Sequence, residues 1–235
     1  MGAIFLFLGV IAAIATWWLA RQRLTAKPWL EEGALGEFPG SGPPSVPPAA
    51  IGLGVFLAVV GSLFALLISA YSTRMSFADL APMPAPRLLW VNTGVLVLSS
   101  AALQWTQAAA KQGRMDQVRT GILIAAIFAL AFLAGQLLVW RRLAAAGYFL
   151  AGNPASAFFY LITGVHGVHL AGGLAALGRS AARAWSGRFQ AIELRLGVGL
   201  CAAYWHFLLA LWLVLFAVLT SGGEDFLAMC RSLAE

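Results

Sequence analysis

The chain has 235 residues, of which 61% are hydrophobic and only 10% are charged, and its mean hydropathy is +0.84. Because soluble domains carry about 25% charged residues, this composition excludes a soluble fold and predicts an all-α, polytopic bundle of transmembrane helices. The net charge of +6 does not indicate nucleic-acid binding, since the basic residues are scattered among short loops and form no basic stripe.

Six uncharged, apolar segments are each about long enough to cross the hydrocarbon core of a membrane as a helix. The first lacks a basic start and is followed by Arg21 and Arg23, so we expect a retained helix and not a cleaved signal peptide. The six predicted spans lie near residues 2–20, 50–72, 88–110, 120–140, 157–178 and 196–221.

These spans divide the chain into four predicted regions. Residues 1–23 form an N-terminal transmembrane helix, and residues 24–49 form a Pro-rich cytoplasmic linker that cannot be helical. Residues 50–223 form a five-helix bundle, in which the short remaining links favour antiparallel neighbours, and residues 224–235 form an external tail.

The basic residues are divided unequally between the two sides of the predicted bundle. By the positive-inside rule the richer side is cytoplasmic, and an even number of spans then places both termini outside. The richer side holds Arg21, Arg23, Lys27, Lys111, Arg114, Arg119, Arg179, Arg183, Arg188 and Arg195, and the other side holds Arg74, Arg87, Arg141, Arg142 and Arg231.

Polar side chains inside the predicted spans are few, and none of them is a carboxylate. Histidines within a membrane are candidates for function, because an imidazole in an apolar environment is costly unless it has a partner. Without an intramembrane acid, a transporter with its own proton relay is disfavoured. The polar residues that could carry chemistry include Asn92, Thr93, Ser99, Ser100, Gln104, Gln136, His166, His169, Tyr204 and His206.

The histidines have three alternative readings. His166 and His206 both fall near the middle of the membrane and could ligate one haem from facing helices, although no charged groups flank them for the propionates. The sequence gives less support to a metal site, since no carboxylate or thiolate converges with the histidines. In the third reading the histidines, with His169, donate hydrogen bonds to backbone carbonyls, Gln136 or Tyr204 across helix interfaces.

Five motifs in order between residues 50 and 221 resemble subunit III of the haem-copper respiratory oxidases, as found in cytochrome c oxidase. The resemblance implies structural roles for Asn92, Thr93, Gln136, His166, His169, Tyr204, Trp205 and His206. Within it, the three histidines would lock the fifth and sixth spans together. The motifs are Ser69-Ala-Tyr71, Asn92-Thr93 with Ser99 and Ser100, Gln136 with Trp140, Thr163-Gly-Val-His166-Gly-Val-His169, and Tyr204-Trp205-His206-Phe207 with Trp212.

The resemblance also implies a function. It implies an accessory, cofactor-free subunit in a bacterial plasma membrane, with haem and copper in partner subunits and with the catalytic subunit I and subunit II as partners. Such a subunit supports the stability, lipid binding and proton uptake of the catalytic subunit. Arginines at span ends are candidates for binding phospholipid headgroups, because a fixed guanidinium suits phosphate; they are Arg87, Arg141 and Arg142.

The sequence departs from the family pattern at three buried acids. The segment Val60-Gly61-Ser62, Val139 and Leu209 stand where the family carries two glutamates and an aspartate, which calls into question any role that depends on those carboxylates. A homologous subunit of a quinol oxidase or of a nitric-oxide-reductase system is an alternative, because partner subunits determine the electron donor.

Overall fold

The computed structural model describes residues 47–75, 87–150, 154–186 and 191–220, and every regular element in these ranges is an α-helix. All five helices are long and apolar enough to cross a membrane, which confirms the predicted class of a multi-pass helical bundle. The predicted N-terminal helix, the linker up to residue 46 and the predicted tail lie outside the described residues. The helices are α1 (Pro48–Met75), α2 (Leu88–Lys111), α3 (Met115–Ala145), α4 (Pro154–Ser186) and α5 (Ala191–Thr220).

The helices α1 to α5 correspond to the second to sixth predicted spans, and several extend beyond them. The α4 helix continues through Arg179 and Arg183 to Ser186, although its predicted span stops where the apolar sequence stops. Hydropathy detects only the part of a helix that crosses hydrocarbon, whereas the helix itself continues into the headgroup layer. Pro48, which we assigned to the linker, begins α1, because a proline in the first helical turn has no hydrogen bond to lose.

Helices α2 to α5 form a ring, and α1 packs on its outside. Each helix from α2 to α5 contacts two neighbours, in the order α2, α3, α4 and α5, and α5 closes the ring on α2. The α1 helix packs against α4 and α5. The interior of the ring is filled by large side chains that are fully buried, among them Phe132, Phe159, Trp205 and Trp212.

Most of the outward face of the bundle is apolar. Val59, Leu66, Ile127 and Val168 each expose more than half of their surface. In water such a surface would drive aggregation, but in a membrane it faces lipid tails at no cost.

Two glycines end helices in the same way. Gly113 and Gly147 have φ angles of +73° and +89°, in the left-handed region that glycine adopts without strain. The following amides, Arg114 N and Tyr148 N, each donate back to a carbonyl five residues earlier at 3.0 Å. Both helix ends are therefore Schellman motifs, which reverse the chain sharply after α2 and after α3.

Candidate functional site: a layer of hydrogen bonds between helices

Two tryptophans of α5 donate hydrogen bonds to hydroxyl groups of α2. Trp205 Nε1 donates to Ser99 Oγ at 2.9 Å, and Trp212 Nε1 donates to Thr93 Oγ1 at 3.0 Å. At about 1.5 Å of rise per residue the spacing is about 9 Å on α2 and about 10.5 Å on α5, so antiparallel helices bring both pairs into register. Ser99 Oγ in turn donates to the carbonyl of Ala125 on α3 at 2.9 Å. One hydroxyl thus links three helices.

His166 joins α4 to α5 from a fully buried position. Its Nε2 lies 3.2 Å from the carbonyl oxygen of Leu208 and must carry the proton, because a carbonyl only accepts. The ring lies beside Trp212 and Phe132, with centroids 4.9 and 5.7 Å away. Its Nδ1 has no hydrogen-bond partner among the described residues.

The second histidine of the motif, His169, acts through its backbone. Its Nδ1 donates to the carbonyl of Val165 in the same helix at 2.8 Å. Its own carbonyl accepts from the hydroxyl of Tyr204 at 2.9 Å, and this bond joins α4 to α5. The imidazole itself is half-buried and lies 5.6 Å, between ring centroids, from Phe64 of α1.

His206 faces α2, whereas we expected it to join the fifth and sixth spans. Its Nε2 donates to Oε1 of Gln104 at 2.8 Å, and its Nδ1 therefore accepts from the hydroxyl of Ser100. The reason is helical geometry: residues two apart on a helix point about 200° apart, so with Tyr204 facing α4, His206 faces away from it.

A second group of hydrogen bonds links α3 to its two neighbours. Asn92 Nδ2 donates to Gln136 Oε1 at 3.3 Å, which joins α2 to α3. Trp140 Nε1 donates to Thr163 Oγ1 at 3.1 Å, which joins α3 to α4. The amide nitrogen of Gln136 is buried and has no partner within the described part of the chain.

All eight predicted motif residues therefore lie in this layer, seven of them within interfaces and His206 at the outer edge of one. Four of their partners, Ser99, Ser100, Gln104 and Trp212, were noted in the sequence as polar or motif residues but were not assigned to the site. The signal available was the matching spacing of donors on α5 and acceptors on α2. Arg119, whose Nε donates to the carbonyl of Ala184 at 3.1 Å, gave no such signal.

The geometry disfavours one haem between His166 and His206. His166 meets α5 from the α4 side, and His206 leaves α5 toward α2. Two axial ligands must face each other across a single porphyrin, which these imidazoles do not. Among the described residues, no three His, Cys, Asp or Glu side chains come together in a way that could hold a metal ion.

The three arginines proposed for lipid headgroups lie at one end of the bundle. Arg87 immediately precedes α2, and Arg141 and Arg142 lie in the last turns of α3, which runs antiparallel to α2. All three are exposed. Within the described part of the chain, this end of the helices therefore carries three exposed guanidinium groups that can meet phosphate.

An open groove of about 470 Å³ lies between α1, α4 and α5. Its walls are mainly apolar, and its polar edge consists of His169 and Tyr204. Gly172 widens it, because no atom lies within 4 Å of the place where a Cβ would be.

Comparisons with known proteins give one consistent result. A family model described as cytochrome c oxidase subunit III matches residues 53–223. The chain is 31% identical over 174 residues to cytochrome c oxidase subunit 3 of Thermostichus vulcanus, a match that covers 72% of this chain and 85% of that protein. It is 32% identical over 127 residues to probable cytochrome c oxidase subunit 3 of Mycobacterium tuberculosis, covering 54% of this chain and 62% of the relative. It is also 29% identical to cytochrome c oxidase subunit 3 of Synechocystis sp., a match that covers 70% of this chain and 72% of that protein.

Proposed function

Because the chain belongs to the cytochrome c oxidase subunit III family, we propose that it is an accessory subunit of a haem-copper terminal oxidase and carries no cofactor of its own. Oxygen reduction then takes place at haem and copper in partner subunits. The observation that supports this role is the hydrogen-bond layer, in which the motif side chains bind neighbouring helices of the same bundle. Side chains used in this way stabilise a bundle and are not available for substrate.

Membership in the family implies a complex with other oxidase subunits, and we propose that the direct partners are the catalytic subunit I and subunit II. The names of the relatives favour cytochrome c over a quinol as the electron donor of that complex. The bacterial origin of these relatives supports a bacterial plasma membrane. The excess of basic residues on one side supports a cytoplasmic location for the α2–α3 connection and an external location for both termini.

The proposed lipid binding has two supports in the structure. The exposed Arg87, Arg141 and Arg142 offer donors to phosphate at one end of the bundle. The groove beside His169 offers apolar walls to an acyl chain. We propose that bound phospholipid is part of the assembled subunit.

Any contribution of this chain to proton uptake has to be indirect. The positions at which the family carries acids hold the segment Val60-Gly61-Ser62, Val139 and Leu209; Val60 and Val139 are buried, and Leu209 packs against the core. None of these side chains is a carboxylate. We propose that the subunit assists proton uptake by stabilising the catalytic subunit around its own proton path.

The test is purification of the tagged chain in a mild detergent. We expect a large haem-bearing subunit to copurify, so that the preparation shows an oxidase absorbance spectrum. The chain separated from that subunit should show no haem absorbance. The His166→Leu variant should leave the haem spectrum of the complex unchanged. Isolation as a stable homo-oligomer without oxidase subunits would contradict the proposal, as would a Soret band of the chain alone that disappears in His166→Ala.

A further inference from the structure

Two buried polar atoms inside the bundle have no hydrogen-bond partner among the described residues. They are Nε2 of Gln136 on α3 and Nδ1 of His166 on α4. Gln136 exposes 3% of its surface, and His166 exposes none. A buried polar atom without a partner has lost its hydration without compensation, so each of these atoms is expected to have one.

The two atoms are complementary as donor and acceptor. Gln136 Oε1 accepts a hydrogen bond from Asn92 Nδ2, so the other end of the Gln136 amide is its NH2 group, which donates. His166 Nε2 carries the ring proton that it donates to the Leu208 carbonyl, so Nδ1 of the neutral ring accepts. The described side chains therefore leave one donor and one acceptor unpaired.

Both atoms belong to the same level of the α3–α4 interface. Phe132, one turn before Gln136, lies beside the His166 ring with the centroids 5.7 Å apart, and Trp140, one turn after Gln136, donates to Thr163. Residues four apart share a helix face, so Gln136 lies on the face of α3 that meets α4, between these two contacts. Thr163 and His166 are about one turn apart on α4. The Gln136 amide and the His166 ring are therefore neighbours across the interface.

A molecule that both accepts and donates is needed to satisfy both atoms. Gln136 Nε2 and His166 Nδ1 do not bond to each other. The ring neighbours of His166 supply no acceptor or donor to Nδ1, since Phe132 and Trp212 pack beside it and the Trp212 N–H is already donated to Thr93. Water is the smallest molecule with both functions, and buried waters bridge polar groups of this kind.

We propose that one water molecule is bound between α3 and α4, where it accepts a hydrogen bond from Gln136 Nε2 and donates one to His166 Nδ1. It completes a chain of hydrogen bonds that runs from Asn92 of α2 through Gln136, the water and His166 to the Leu208 carbonyl of α5. All four helices of the ring are joined by this chain. The inference concerns the interior of this chain alone and does not depend on the proposed function.

A structure of the purified protein at a resolution that shows ordered waters tests the site directly. We expect density for one water at about 2.7–3.2 Å from both Gln136 Nε2 and His166 Nδ1. A direct bond between the two nitrogens would overturn the inference. Density that contacts only one of them, or no density where other buried waters are seen, would overturn it as well. The density is observed in the wild-type chain and so decides even where a variant fails to fold.

A double-mutant cycle tests whether the water links the two helices. Gln136→Met removes the donor, and His166→Gln keeps an N–H for the Leu208 carbonyl but removes the Nδ1 acceptor. In mixed detergent micelles, we expect the combined effect on the unfolding equilibrium constant to differ from the product of the single effects by about threefold or more.

The matched control for this cycle is His169→Gln, at the second histidine of the motif, whose Nδ1 bonds within its own helix. Its effect should combine with that of Gln136→Met without coupling. Independent effects of Gln136→Met and His166→Gln would overturn the link between α3 and α4.

Discussion

At the scale of single residues, three motif hydroxyls, those of Thr93, Ser99 and Thr163, stabilise the bundle because each accepts a hydrogen bond from the indole N–H of a buried or partly buried tryptophan on another helix. Thr93 Oγ1 accepts from Trp212 and donates to the carbonyl of Leu89 at 2.8 Å. Thr93→Val keeps the shape of the side chain but leaves the indole N–H unpaired. We expect Thr93→Val to lower the free energy of unfolding in mixed detergent micelles by about 1–2 kcal/mol.

A double-mutant cycle with Trp212→Phe isolates this bond from the packing of the ring. The coupling energy should be about 0.6–1.7 kcal/mol, the range found for hydrogen bonds between transmembrane helices. Thr120→Val, at an exposed position whose hydroxyl donates to the carbonyl of Asp116 in its own helix, serves as the control and should show no coupling with Trp212→Phe. Additive effects of Thr93→Val and Trp212→Phe would show that the bond contributes nothing.

The residues of this layer could be predicted from the sequence, but their partners could not. Polarity within an apolar span identifies His166 and His206 as residues that need a partner. Which helix supplies that partner depends on the rotation and register of α5 against α2 and α4, and these are set by packing between segments far apart in sequence. His206 therefore lies against α2, although the motif grouping had placed it against α4.

At the scale of helices, two adjacent glycines of α4 provide a matched test of close approach. A Cβ on Gly173 would lie 2.7 Å from Tyr204 Cε1 and 2.9 Å from Trp205 Cζ3, whereas a Cβ on Gly172 would meet nothing within 4 Å. Both aromatic rings are held by hydrogen bonds and cannot move away cheaply.

We therefore expect opposite effects of the two alanine substitutions on the free energy of unfolding in mixed detergent micelles. Gly173→Ala should destabilise the chain by about 1–3 kcal/mol, because α4 must separate from α5. Gly172→Ala should be neutral or stabilise by about 0.5–1 kcal/mol, because alanine is the better helix former. If Gly173→Ala changed the free energy of unfolding as little as Gly172→Ala, the α4–α5 interface would tolerate separation.

At the scale of the whole molecule, the number of helices in the bundle and their antiparallel order follow from apolar length and short connections. The closure of the ring by α5 on α2, and the attachment of α1 to α4 and α5, do not. They follow from the tryptophan donors of α5 and from an apolar contact of Val60 and Phe64 with Ile162 and Leu215. Such contacts between distant segments have no local signature in the sequence.

The arginines at one end of the assembled bundle give the last prediction. Because a guanidinium binds phosphate through several fixed donors, replacing Arg141 and Arg142 by glutamine should remove about half or more of the anionic phospholipid that copurifies with the complex. Native mass spectrometry of the complex measures the bound lipid. Arg114→Gln, an exposed arginine just before α3 at the opposite end of the bundle, is the control and should leave that lipid in place. Equal losses in both variants would mean that net charge, and not the position of the guanidinium groups, retains the lipid.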